Sequence, residues 1–293
     1  MRYTTIMYYI GIDIGGTNAR AGLIRDNEIV YKTKIPSEIN GSEKTLFDRI
    51  FTLIDDVQNY AATVCRLPST DCHGIGIGVA GMVLAAKGIL LAASNLKLEK
   101  TDVVACVQKK YNVPVKIKND LSMFALAEAR LGACHCAREA REHREHLAKQ
   151  SHGNIDNLVY IAIGTGLNIG VINNGKLFEG ADGASLEYGQ TSLWDATVET
   201  YLSGPGYKKF GQQKMLEALD AVILNLANTY RPQKIVLGGG VSDSITPEIL
   251  EQRKKHLKEN NYGYKNAPEI TLEISSLAHD GAILGAAALF QQY

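Results

Sequence analysis

The sequence predicts an α/β fold of two duplicated domains, each running β-β-β-α-β-α-β-α, with a cleft between them. Three observations carry the prediction. Apolar β-rich runs alternate with amphipathic helical stretches, glycine clusters close the same kind of hairpin in both halves, and the second half repeats the order of the first. The 293 residues suffice for two ordinary domains of about 150 residues each. Lys and Arg number 31, and so do Asp and Glu, so no field favours a nucleic-acid backbone or an anionic membrane, and neither partner is expected. A hydrophobic content of 45% with 21% charged residues excludes disorder. Five cysteines, none in a C-x-x-C pair, read as reduced thiols and point to the cytoplasm. No export signal opens the chain, and no run approaches the roughly eighteen apolar residues of a membrane helix.

The elements follow in order. Tyr8 to Asp13 is a short apolar strand, and Asp13-Ile14-Gly15-Gly16-Thr17-Asn18 turns it into a second, Ala19 to Ile24, which ends at Arg25-Asp26-Asn27. Glu28 to Lys34 is a third strand. From about Ser42 to Ala62, apolar residues at Leu46, Ile50, Phe51, Leu53, Ile54 and Val57 have the spacing of an amphipathic helix. Gly74 to Gly81 reads as a glycine-rich strand and Ile89 to Ala92 as another. Thr101 to Lys110 is predicted helical and Val113 to Lys118 extended, after which Asn119-Asp120 opens a helix from Leu121 to Leu131. Lys214 to Tyr230 is a long helix of the second half.

The repeat is legible residue by residue. At an offset of 148, Gly16 falls on Gly164, Thr17 on Thr165, Gly22 on Gly170, Leu23 on Val171 and Ile24 on Ile172. Gly78 falls on Gly238 and Asp120 on Asp280 at an offset of 160, which requires an insertion of 12 residues between the blocks. The domains are expected to span 1–118 and 119–278, the second and larger one holding an insertion at about 133–156.

Two Gly-Thr hairpins facing a cleft would suit a triphosphate, because glycine lets backbone N–H groups approach phosphate oxygens and a Thr hydroxyl adds a donor. Gly76 to Gly81 also matches G-x-G-x-x-G. These glycines lie inside a strand, and Met82 to Gly88 lacks a helical period, so a nicotinamide dinucleotide is not expected. They are expected instead to let a sugar or the neighbouring hairpin approach the strand. Cys134-His135-Cys136 with His143, His146 and His152 is metal-like by composition. Arg138, Arg141, Glu142, Arg144 and Glu145 surround it, which reads as a solvated helix face.

In register, these motifs resemble the ROK family (repressor, open reading frame, kinase) of the actin and hexokinase superfamily, whose domains are ribonuclease H-like. Asp13-Ile14-Gly15-Gly16-Thr17-Asn18-Ala19-Arg20 is similar to the family's first phosphate motif, Ile163-Gly164-Thr165-Gly166 to the second, and Leu237-Gly238-Gly239-Gly240-Val241 to its adenosine-side motif. Lys118-Asn119-Asp120 resembles the Asn-Asp that carries the catalytic base, while Phe178 to Gly189 and Glu199 to Gly204 resemble the sugar-contact stretch.

The resemblance implies ATP-dependent phosphorylation of a hexose or amino-hexose hydroxyl with Mg2+, and a C-terminal helix, about 279–293, packed on the first domain. The alternative is a non-catalytic sugar-binding sensor or regulator on the same scaffold. Asp120 is then the general base, although Asp in that place also suits a helix cap. Asp13 would hold magnesium through water, and Gly15, Gly16, Thr17, Asn18, Arg20, Gly164, Thr165, Gly166, Gly238, Gly239 and Gly240 would bind the nucleotide. Gly81, Asn95, Asn119, Asp120, Glu187, Gln190 and Glu199 would line the sugar site. The His that the resemblance implies after Glu-x-Gly is Gln190, and Ser192 to Thr200 contains no Cys, so no structural zinc is expected. Fewer than a dozen residues precede the first strand, which argues against an added helix-turn-helix. A homodimer is a compatible assembly.

Overall fold

A computed structural model describes residues 7–135, 155–180, 186–260, 269–277 and 279–290, with 132–135 as backbone. Cys136, His143, His146 and His152 lie outside the described residues, as do the side chains of Cys134 and His135 and the stretch Ala181 to Ser185. The chain divides into two compact units: Met1–Ala127 with Glu179–Ser185 and His279–Tyr293, and Glu128–Phe178 with Leu186–Ala278.

The first unit begins with β1 (Tyr8–Ile14), β2 (Asn18–Arg25), β3 (Glu28–Pro36) and α1 (Glu43–Thr63). After β4 (Cys72–Val79) a small antiparallel sheet, β5 (Met82–Leu84), β6 (Ile89–Ala93) and β7 (Leu98–Asp102), precedes α2 (Val103–Tyr111), β8 (Val115–Asn119) and α3 (Asp120–His135). The main sheet has the order β3-β2-β1-β4-β8. β2 pairs antiparallel with β1 and β3, while β4 runs parallel to β1 and β8. Ser42 caps α1 by accepting the Thr45 N–H at 3.1 Å, and Leu46, Ile50, Leu53, Ile54 and Val57 are buried on one face of the helix. Thr101 was expected at the head of a helix. It pairs instead with Leu90 in β7, and the helix starts after Asp102, whose Oδ1 accepts the Ala105 N–H at 3.2 Å.

Gly22, Gly11 and Gly76 stand side by side across β2, β1 and β4. The smooth face they make is filled by the C-terminal residues Gly281–Ala288, all buried, which form a small-residue helix with the sequence GAILGAAA. A Cβ on Gly76 would stand 2.6 Å from the Ala286 Cβ, and one on Gly74 would stand 2.6 Å from the Phe290 ring. Of the glycines expected to admit a sugar or the neighbouring hairpin, Gly76 admits a helix instead, whereas Gly81 lies against Ala92 and Ala93 of the β5–β6 hairpin. Met123 of α3 packs in the same cluster as Ile24, Ala282, Ile283, Ala286 and Ala287, which is why the first unit runs past the expected boundary at 118 to Ala127.

The second unit contains β9 (Leu158–Ile163), β10 (Leu167–Asn173), β11 (Lys176–Leu177), a ribbon of β12 (Ser192–Leu193) and β13 (Ala196–Thr197), and then α4 (Val198–Tyr201) and α5 (Gly204–Tyr230). β14 (Lys234–Gly238), α6 (Pro247–Asn260) and β15 (Thr271–Ile274) follow, and the C-terminal helix described above is α7. The sheet order β11-β10-β9-β14-β15 repeats that of the first unit strand for strand, with the same pairing directions. One detail departs from a uniform offset. Ile14 pairs with Ala19 and encloses four residues, whereas Ile163 pairs with Leu167 and encloses three, so β9 matches β1 one residue further on than β10 matches β2. α5 breaks at Gly211, where φ is +81°, a conformation that costs glycine little. Among the described residues no helix is long and apolar enough to cross a membrane.

Candidate functional site

The expected site residues fall into two groups, one in each unit. In the first unit, Arg20, Asp13, Gly78 and Lys118 stand in register across β2, β1, β4 and β8. They lie two residues beyond the glycine row, on the same face, because side chains alternate along a strand. Asp13 is buried, and the Arg20 Nη1 donates to its Oδ2 at 3.2 Å. Gly78 places no side chain between Asp13 and the start of α3. A Cβ there would lie 3.6 Å from the Asp120 Cα and 3.4 Å from the Met123 Cγ.

Asp120 is half-buried at the first position of α3. The helix is capped by its neighbour: the Asn119 Oδ1 accepts the N–H groups of Leu121 at 2.9 Å and Ser122 at 3.4 Å. Asn119 also donates through Nδ2 to the Gly81 carbonyl at 3.0 Å, fixing Gly81 beside the end of β8. The Asp120 Oδ1 accepts the Leu121 N–H at 3.0 Å, and among the described residues no side chain donates a hydrogen bond to the carboxylate. Burial, and then the charge of Asp13, push the Asp120 carboxyl up to about 6. Burial pushes Asp13 up to about 6 as well, against the pull of Arg20. The cap expected of Asp120 thus belongs to Asn119, and the Asp120 carboxylate keeps acceptor capacity for another partner.

The first hairpin is held from outside. Its Gly15 N–H donates to the Asn18 carbonyl at 3.0 Å, the Ser37 hydroxyl donates to the Gly15 carbonyl at 2.6 Å, and the Ser37 N–H donates to the Thr17 carbonyl at 3.0 Å. Gly16 and Thr17 stay exposed, with Asn95 next to Gly16, where a Cβ would meet the Asn95 Cβ at 3.3 Å. Sequence reasoning missed the fully buried Ser37, whose only signal was its place after Pro36 at a strand end. It also missed Lys118 Nζ, which pairs with the Glu179 Oε2 at 2.5 Å.

In the second unit, Gly164, Thr165 and Gly166 form the β9–β10 hairpin, and the Gly204 N–H donates to the Gly164 carbonyl at 2.7 Å. Gly238, Gly239 and Gly240 follow β14. Gly239 has φ of +86° and lies against the Ile163 backbone, and the Val241 N–H donates to the Ile163 carbonyl at 2.9 Å, so this turn abuts the hairpin. The three expected sugar ligands gather at the start of β10. The Glu199 Oε2 accepts the Leu167 N–H at 2.9 Å, the Gln190 Nε2 donates to the Glu199 Oε1 at 3.4 Å, and the Glu187 Oε2 accepts from the Asn168 Nδ2 at 3.2 Å. Asn168 also accepts the Tyr188 N–H at 3.0 Å and so orders the turn carrying Glu187 and Gln190. Its sequence gave no motif by which to find it.

The ROK family profile matches residues 9–209 and 211–293. A glucokinase of Halalkalibacterium halodurans is 24% identical over 339 residues, covering 97% of this chain and 95% of its own. A xylose repressor of Caldicellulosiruptor bescii is 31% identical over 189 residues, covering 63% of this chain, and the match spans only 41% of the repressor. The crystal structure of a ROK family glucokinase from Streptomyces griseus in complex with glucose and AMPPNP superposes with a TM-score of 0.72 at 21% identity, covering 96% of this chain and 98% of that one.

Proposed function

The chain belongs to the ROK family, and on that premise we propose that it transfers the terminal phosphoryl group of ATP to a hydroxyl of a hexose or amino-hexose. The observation that carries the reading is Asp120, a carboxylate that leaves the helix cap to Asn119, receives no side-chain hydrogen bond among the described residues and has its pKa raised to about 6. Such a group is ionised at neutral pH and is a stronger base than an ordinary carboxylate. Asp120 accepts a hydrogen bond from the attacking hydroxyl and takes its proton. The sugar oxygen bonds to the γ-phosphorus, the bond from that phosphorus to the bridging oxygen breaks, and ADP leaves.

Asn119 keeps one amide hydrogen beyond its bond to Gly81, and this donates to the sugar. Glu187 and Glu199 accept from sugar hydroxyls, Gln190 holds Glu199, and Asn95 completes the sugar's surroundings. The N–H groups of the two Gly-Thr hairpins bind phosphate oxygens, and the turn of Gly238 to Gly240 borders the adenosine.

Magnesium fits the first unit: Asp13 and Asp120 are both desolvated, the charge of Asp13 bears on Asp120, and only Asp13 is paired with a guanidinium, that of Arg20, which leaves negative charge for a hard cation. Asp13 would hold it through water, and the ion would supply neutralisation of phosphate charge there. Among the described residues no group of three or more His, Cys, Asp or Glu side chains could cage a metal by itself. An ion that keeps its waters and substrate phosphates needs no such cage. Structural zinc is not part of the proposal, so purified protein should carry no stoichiometric zinc by elemental analysis.

The second reading, a sugar sensor, is favoured by the repressor among the similar sequences. A sensor needs hydroxyl acceptors but gains nothing from a raised carboxylate beside a second one. A screen of monosaccharides with ATP and magnesium, read as ADP release, decides between them. Sugar binding without ADP release from any monosaccharide would replace the kinase with the sensor.

A further inference from the structure

An open pocket of about 270 Å³ in the second unit is lined by Thr165, Thr197, Thr200, Ser203, Glu199 and Lys209, among others. Thr165 belongs to the second Gly-Thr hairpin and has no hydrogen-bond partner among the described residues. The hydroxyls of Thr197 and Thr200 lie 3.0 Å apart, so one donates to the other and one proton of the pair is left over. The Glu199 carboxylate is already engaged on both oxygens, by the Leu167 N–H and the Gln190 amide. Ser203 accepts the Gly206 N–H at 3.1 Å and stiffens the pocket wall. The Lys209 ammonium forms no ion pair among the described residues and rests 4.7 Å from the centroid of the Phe210 ring.

We infer that Lys209 binds the phosphate chain of the phosphoryl donor, and that this pocket extends the phosphate site of the Thr165 hairpin. Hydroxyl donors with one uncommitted cation match a ligand that carries several anionic oxygens on adjacent phosphorus atoms. The Gly204 N–H to Gly164 carbonyl bond joins the start of α5 to the hairpin, so a donor seated on Thr165 lies within reach of a lysine on the first turns of that helix. The identity of the donor rests on the kinase reading. The polyphosphate-binding property of the pocket does not.

The test compares the full-length protein with Lys209→Met and Lys209→Arg. Lys209 is exposed, and neither replacement should change the melting temperature. In Lys209→Met the KM for ATP should rise about tenfold with the sugar KM unmoved, the loss of one charge-assisted bond, and Lys209→Arg should recover most of it. Calorimetric titration with inorganic tripolyphosphate should show the same order of affinities. Turnover of a sugar with unchanged ATP KM and unchanged tripolyphosphate affinity in Lys209→Met would overturn the assignment and leave the kinase standing. Tripolyphosphate binding that Lys209→Met abolishes, in a protein that phosphorylates no sugar, would keep the pocket and overturn the kinase. A wild-type protein that binds no tripolyphosphate and a Lys209→Met variant with normal ATP KM would also refute the site.

Discussion

In the proposed kinase Asp120 combines a chemical role with a cost in stability, and replacement by Asn separates the two. Removing the base should lower kcat by roughly two or more orders of magnitude, with sugar affinity changed much less. Its pKa stands at about 6 against an ordinary 3.8. The folded protein therefore keeps a proton that the unfolded chain releases, and the stability this confers is complete below about pH 4 and lost by about pH 6. At pH 7.5, without ligands, Asp120→Asn should melt higher, by on the order of 1 to 2 kcal/mol after allowance for partial exposure. Loss of both activity and stability would make Asp120 a structural residue. Gln190 acts one step further back, since its amide reaches Glu199. Gln190→Ala should cost about 1 to 3 kcal/mol in kcat/KM for the sugar, and the ATP KM should stay put. A shift in ATP KM alone would place Gln190 on the wrong ligand.

At the scale of elements, the glycine row and α7 determine each other. Every residue of α7 is buried, and a methyl on Gly76 would meet the Ala286 Cβ at 2.6 Å and its Cα at 2.8 Å, so relief requires the helix itself to move. Gly76→Ala should destabilise by about 1 to 3 kcal/mol in urea unfolding. Gly78 is different: its nearest would-be contacts, at 3.4 to 3.6 Å, are ordinary van der Waals distances. Gly78→Ala should cost less than about 1 kcal/mol in stability, yet it sets a methyl beside Asp120 and should show in kcat. Equal destabilisation by both would refute the packing account. The strands flanking the first hairpin and the helix α1 were legible because their apolar periods are local. The short β12–β13 ribbon was not, since each of its strands has two residues and only their mutual pairing defines them.

For the whole molecule, a third desolvated carboxylate adds to the pH dependence. Burial raises Glu128 to about 7 from an ordinary 4.5, opposed by the Ser275 hydroxyl and the charge of Lys234. Its bound proton stabilises the fold fully below about pH 4.5, and that contribution is lost as pH rises through about 7. Glu128→Gln should flatten the melting temperature between pH 5 and 8, measured without ligands, and an unchanged profile would mean that Glu128 titrates normally. By itself the sequence determined the duplicated α/β organisation, both Gly-Thr hairpins and the Asn-Asp pair, because glycine turns, apolar periods and repeated order are written in consecutive residues. Tertiary structure alone decided that Gly76 of β4 receives α7 while Gly78 faces α3, that the charge of Asp13 raises Asp120, that Asn119 takes the cap, and that Gln190 holds Glu199. Each of these depends on register between segments distant in the chain, where the relation lies in hydrogen bonding across strands and not in spacing along the sequence.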